Sequence, residues 1–101
     1  MNFKEAKRKV IENLTNGTFS HEARNGIDKK NKLAVGDVSK EEVISILQRA
    51  RGDEHQNSAH HFDKNIEVHT VIRKHEGTEW YIKWYFVEPQ TVFISVHLSE
   101  K

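Results

Sequence analysis

Thr78-Glu79-Trp80-Tyr81-Ile82-Lys83-Trp84-Tyr85-Phe86-Val87 is the stretch on which the fold turns. Trp80, Ile82, Trp84 and Phe86 alternate with Tyr81, Lys83, Tyr85 and Val87. Alternation with a period of two marks a strand buried on one face. The neighbouring runs repeat the pattern. In 66–74, Ile66, Val68, Thr70 and Ile72 alternate with Glu67, His69, Val71 and Arg73. In 91–98, Val92, Ile94, Val96 and Leu98 alternate with Phe93, Ser95 and His97. Short turns holding Gly77 and Pro89 separate the runs, which predicts a three-stranded antiparallel meander.

Upstream of the meander the period changes to that of a helix. Phe3, Ala6, Val10, Ile11 and Leu14 share one face of a predicted helix over 2–16, closed by Asn16-Gly17. Ser39 and Glu42 form a capping box, opening a helix to about Arg51 with Val43, Ile44, Leu47 and Ala50 inward. Ser20 is placed to cap one helical turn through His21 and Arg24, and 27–36 and 53–65 read as loops. The expected architecture is therefore α+β: two N-terminal helices packed on a C-terminal three-stranded antiparallel sheet, in one domain over 1–101.

The chain has 101 residues, 16 basic and 15 acidic, for a net charge of +1. That near-balance argues against a protein that coats DNA, so no direct DNA partner is expected. No Cys is present, which excludes disulfides and cysteine-held zinc. No apolar run approaches membrane-spanning length and the N-terminus lacks a signal-peptide pattern, so the expectation is a cytoplasmic protein without a membrane partner.

Matching the oily faces sets an expected register. A three-residue loop at His75-Glu76-Gly77 pairs Ile72 with Trp80. A second at Glu88-Pro89-Gln90 pairs Trp84 with Ile94 and Ile82 with Val96. The opposite face then carries the rows Val71–Tyr81–His97, His69–Lys83–Ser95 and Glu67–Tyr85–Phe93, with Arg73 at the edge. Histidine, tyrosine, lysine and arginine on one face suit metal-independent RNA cleavage. A base takes the 2′-hydroxyl proton, an acid protonates the leaving 5′-oxygen, and cations hold the phosphate. The expected catalytic residues are His97, Lys83, Tyr81 and His69. Arg73, Tyr85, Phe93, Lys29 and Lys30 are expected to bind RNA by charge and stacking, with His21 and Arg24 reaching in from an adjacent segment. No cofactor is needed by this chemistry. His55, His60 and His61 with Asp53 or Asp63 offer donors for a rival zinc or nickel site.

Three segments carry a family resemblance: Glu42-Val43-Ile44-Ser45-Ile46-Leu47, Gly77-Thr78-Glu79-Trp80-Tyr81-Ile82-Lys83 and Val92-Phe93-Ile94-Ser95-Val96. With the order helix, loop, helix, meander, the chain resembles the RelE-like toxin ribonucleases of bacterial toxin–antitoxin systems, the MqsR-type mRNA interferases in particular. The resemblance implies an endoribonuclease that cleaves single-stranded mRNA and is neutralised by a cognate antitoxin protein. It implies a functional tyrosine at Tyr81 and lysine at Lys83. His97 stands where the family carries its C-terminal basic residue. A family lysine before the sheet has no counterpart beyond His55. His21-Glu22-Ala23-Arg24 is similar to a His-Ala…Arg pattern in related small toxin-like domains. The alternative is a non-catalytic RNA-binding module, or an antitoxin- or immunity-type module that uses the same face for a protein partner.

Overall fold

The computed structural model describes residues 1–99. Its elements run α1 (Phe3–Asn16), β1 (Phe19–His21), α2 (Ile27–Lys30), α3 (Lys40–Arg49), a 3₁₀ turn (Gly52–Glu54), β2 (His55–Ala59), β3 (Glu67–His75), β4 (Thr78–Val87) and β5 (Gln90–Leu98). The sheet has five strands in the order β1-β5-β4-β3-β2. β1 runs parallel to β5, and every other pair is antiparallel. The α+β class stands, but the expected three-stranded antiparallel sheet does not: two short polar strands extend the meander at both edges. Phe19–His21 is β1 rather than a helical turn, and His55–Ala59 is β2 rather than loop. Neither carries a run of alternating oil. Pairing with an existing sheet edge holds them in place.

The two long helices form as their caps dictate. Asn2 accepts from the N–H of Glu5 and Gly17 closes α1 at φ 74°. Ser39 accepts from the N–H of Glu42 at 3.1 Å to open α3. Ala6, Val10 and Leu14 of α1 and Val43, Ile46 and Leu47 of α3 are fully buried against Val71, Ile82, Trp84, Phe93 and Val96 of the sheet. Asn13 fixes the docking of α1, since its buried Nδ2 donates to Thr91 Oγ1 at 2.9 Å and to the Pro89 carbonyl at 3.1 Å. None of the described helices is long and apolar enough to cross a membrane.

The register of β3 departs from expectation by one residue. His75 pairs with Thr78 and Arg73 with Trp80, leaving a two-residue turn at Glu76-Gly77. Both turn residues have positive φ, 52° and 83°, which is the type I′ turn that matches strand twist. The slip turns β3 over. Arg73 and His69 face the helices, and Ile72, Thr70 and Val68 face outward. Arg73 is tolerated opposite Trp80 because Nη1 donates to Glu54 Oε1 at 2.8 Å.

In β5 a different correction applies. Val87 pairs with Gln90, so the second turn is also two residues long. A bulge between the Lys83 and Trp84 positions then makes Ile94 the extra residue, and Ile82 meets Val96 as expected. Before the bulge the faces are reversed. Trp84 opposes Phe93, not Ile94, and Phe93 lies in the core.

Candidate functional site

On the side of the sheet away from α1 and α3, Tyr81, Lys83 and Tyr85 alternate along β4, about 7 Å apart. Tyr81 pairs with His97 and Lys83 with Ser95 across β5. The rings of Tyr81 and His97 stack with centroids 5.0 Å apart and planes 12° apart. A carbonyl oxygen only accepts, so the 2.7 Å contact of His97 Nδ1 with the Leu98 oxygen places a hydrogen on Nδ1. Nε2 of His97 is left to exchange a proton. Lys29 of α2 lines the adjoining hollow with Lys32, His97 and Leu98. Lys30 is exposed on the same short helix.

The other expected residues lie elsewhere. His69 is buried on the helix-facing side between Trp84 and Phe86, and Nδ1 contacts His55 Nε2 at 2.9 Å. Burial pushes its pKa down to about 4, with the charges of His55 and the N-terminus acting the same way against Glu67. It is a packed core histidine. Phe93 is fully buried on that side too, and Arg73 is held by Glu54. His21 also points inward, where Nδ1 meets Asn31 Nδ2 at 2.9 Å and burial lowers its pKa. Its expected partnership with Arg24 rested on a helical turn that is a strand.

That strand brings in a residue the sequence reading passed over. β1 pairing continues through the Glu22 N–H to the Phe93 carbonyl at 2.9 Å. With His21 inward, Glu22 faces outward. His60 Nε2 meets Glu22 Oε2 at 3.0 Å. His60 Nδ1 accepts from the backbone N–H of Phe62 at 3.1 Å and of Asp63 at 3.3 Å. The ring hydrogen therefore sits on Nε2 and is given to the carboxylate. The Tyr85 phenol acts on the same carboxylate, and its ring meets that of His60 edge-on at 4.9 Å. Burial pushes the Glu22 carboxyl up, but the hydrogen bonds from His60 and Tyr85 and the positive charge of Arg24 outweigh it. The pKa lies below the usual carboxylate value. Burial, then the hydrogen bond and charge of Glu22, push the Tyr85 phenol up to about 12, so it stays a donor.

Arg24 is seated by the bulge. An extra strand residue drops out of the ladder, and Arg24 Nη1 donates to the Ile94 carbonyl at 3.1 Å and to Ser95 Oγ at 3.0 Å. Glu22, Ala23, Arg24, His61, Phe62, Lys83 and Ile94 line a cavity of about 460 Å³. One ionised carboxylate, two cations and an imidazole thus face one space. Phe62 stands at its rim, 85% exposed.

The histidines and aspartates of 53–65 do not converge as a metal site. His55 turns inward to His69, His60 holds Glu22, and Asp53 pairs with Arg51 at 3.2 Å. No family model, no curated protein and no solved structure matches this chain.

Proposed function

We propose that the protein is a metal-independent endoribonuclease acting on single-stranded mRNA, with its reaction centre at Glu22 and the Tyr81–His97 pair as a flanking subsite. The observation that carries this reading is the cavity in which a carboxylate held by His60 faces Arg24 and Lys83.

Cleavage needs no outside reagent. Glu22 takes the proton of the 2′-hydroxyl, and the 2′-oxygen bonds to phosphorus. The bond to the 5′-oxygen breaks, and that oxygen takes a proton from His61. The products are a 2′,3′-cyclic phosphate and a free 5′-hydroxyl. Arg24 and Lys83 hold the phosphate oxygens as negative charge builds, the kind of fixed electrostatic help that supplies much of an enzyme's rate. Phe62 and the Tyr81–His97 stack offer flat surfaces to flanking bases. A cognate antitoxin neutralises the activity by covering this outer face.

The test is incubation of untagged protein with end-labelled single-stranded RNA in chelator. Fragments ending in a 2′,3′-cyclic phosphate, lost in Glu22→Gln, support the reading. Binding without cleavage replaces it with a non-catalytic RNA-binding module.

A further inference from the structure

We infer that Glu42, His75 and Glu76 form a site for one divalent transition-metal ion, best matched by zinc, that clamps α3 to the β3–β4 turn. The three residues come from separate pieces of structure. Glu42 lies in the first turn of α3, His75 ends β3, and Glu76 begins the turn. One donor atom from each lies within 4.8 Å of the others. Zinc holds nitrogen and oxygen ligands at about 2.0–2.2 Å, which sets neighbouring donors about 3.4 Å apart. Closing that gap requires small rotations at the ends of two flexible glutamates.

The buried imidazole is what points to a ligand. The His75 side chain is only 4% exposed, and Glu42 Oε1 stands 3.9 Å from its Nε2. That is beyond hydrogen-bond reach, and the ring makes no hydrogen bond among the described residues. The ring lines the adjoining cavity together with Glu42 and Glu76, and a metal ion held there takes the ring nitrogen as a ligand beside the two carboxylates.

Charge points the same way. Glu42 has no ion pair other than the long one to His75, and Glu76 has none, among the described residues. Lys32, the cation in the adjoining cavity, is already with Asp37 at 3.6 Å. A divalent ion balances two carboxylates. Imidazole among the donors favours zinc over magnesium or calcium, which take oxygen ligands. The cavity of about 420 Å³ beside the cluster leaves room for water as a fourth ligand. His75 faces the helices, so this ion takes no part in chemistry on the outer face.

Untagged protein is stripped with chelator, dialysed, and titrated with zinc chloride by calorimetry and thermal unfolding. The expected result is one zinc per chain. The Tm rises by on the order of 10 °C when zinc exceeds its Kd about a hundredfold. Glu76→Gln, in an exposed turn, leaves the metal-free Tm within a few degrees and weakens zinc binding by more than about tenfold. His75→Gln weakens it at least as much, and His61→Ala leaves it unchanged. Absence of zinc uptake, or full uptake in Glu76→Gln, overturns the inference. So does uptake lost only in His61→Ala.

Discussion

His60 points its Nε2–H at Oε2 of Glu22 from 3.0 Å, while its other nitrogen is held by two backbone N–H groups. The imidazole cannot turn without losing three contacts, so in the proposed reaction it positions the carboxylate and the carboxylate serves as the base. Glu22→Gln keeps the shape and removes the base, and is expected to lower single-turnover RNA cleavage by about 10²–10⁴. His60→Ala removes one of the two donors that hold the Glu22 pKa down. The acid limb of its pH–rate profile is expected to move to higher pH relative to wild type. A profile that falls in amplitude without moving would assign His60 a merely structural part.

Phe62 and Lys83 separate binding from folding. Phe62 is 85% exposed, and substitutions at such surface positions change stability by only about 0.5 kcal/mol or less. Base stacking on an aromatic ring is worth about 1–3 kcal/mol. Phe62→Ala is therefore expected to keep its Tm and to bind labelled single-stranded RNA about 5- to 150-fold more weakly by fluorescence anisotropy. Lys83→Ala is expected to flatten the dependence of affinity on salt, because one phosphate contact is gone. Equal affinities for the wild type and Phe62→Ala would remove the ring from the RNA path.

The parts of the fold that were readable from sequence are those built on local chemistry. Gly17 and Ser39 cap their helices with contacts inside a few residues, and β4 spans the stretch that its alternation marks. β1 and β2 were not readable, because Phe19–His21 and His55–Ala59 owe their extended form to a partner strand far away in the chain. The register of β3 was misread through Arg73. Matching Ile72 to Trp80 favours a three-residue loop, whereas Arg73 is accepted opposite Trp80 through the Glu54 carboxylate, which comes from the segment read as loop. At the site, Tyr81, Lys83, Tyr85, His97 and Arg24 were legible as residue types on a strand face or beside it. Glu22 was not, since its outward direction depends on β1. Continued alternation from Phe19 through His21 is the signal that would have exposed it.

Three histidines set the response of stability to acid. Burial lowers the pKa of His69 to about 4, and burial also lowers His55, against Glu67, and His21. An unfolded histidine titrates near pH 6.5. Above that value neither state binds the proton and stability is full. Below it the unfolded chain takes up protons that the fold refuses, so stability falls as pH drops from about 6.5 towards 4. The share of His69 is on the order of 3 kcal/mol at the end of that window. Urea unfolding at pH 7 and pH 5 is expected to show the loss. His69→Gln, which cannot titrate, is expected to have a shallower slope of stability against pH. An unchanged slope would place the acid response in other groups.

Glu76 occupies a left-handed conformation, φ 52°, beside Gly77 at φ 83°. A left-handed residue other than glycine or asparagine costs about 1–2 kcal/mol. Nothing lies within 4 Å of a Cβ added to Gly77, so Gly77→Ala is expected to destabilise by about that amount through the backbone alone. Glu76→Asn relieves the strain at the other position and is expected to raise stability by about 0.5–1 kcal/mol. The measurement is the urea midpoint in chelator with the m-value unchanged, so that metal binding at Glu76 plays no part. The two substitutions together test the register. A three-residue loop starting at His75 needs the left-handed conformation only at Gly77, and there Glu76→Asn gains nothing. A midpoint unmoved by Glu76→Asn would turn β3 over again, bringing His69 and Arg73 to the outer face beside Lys83.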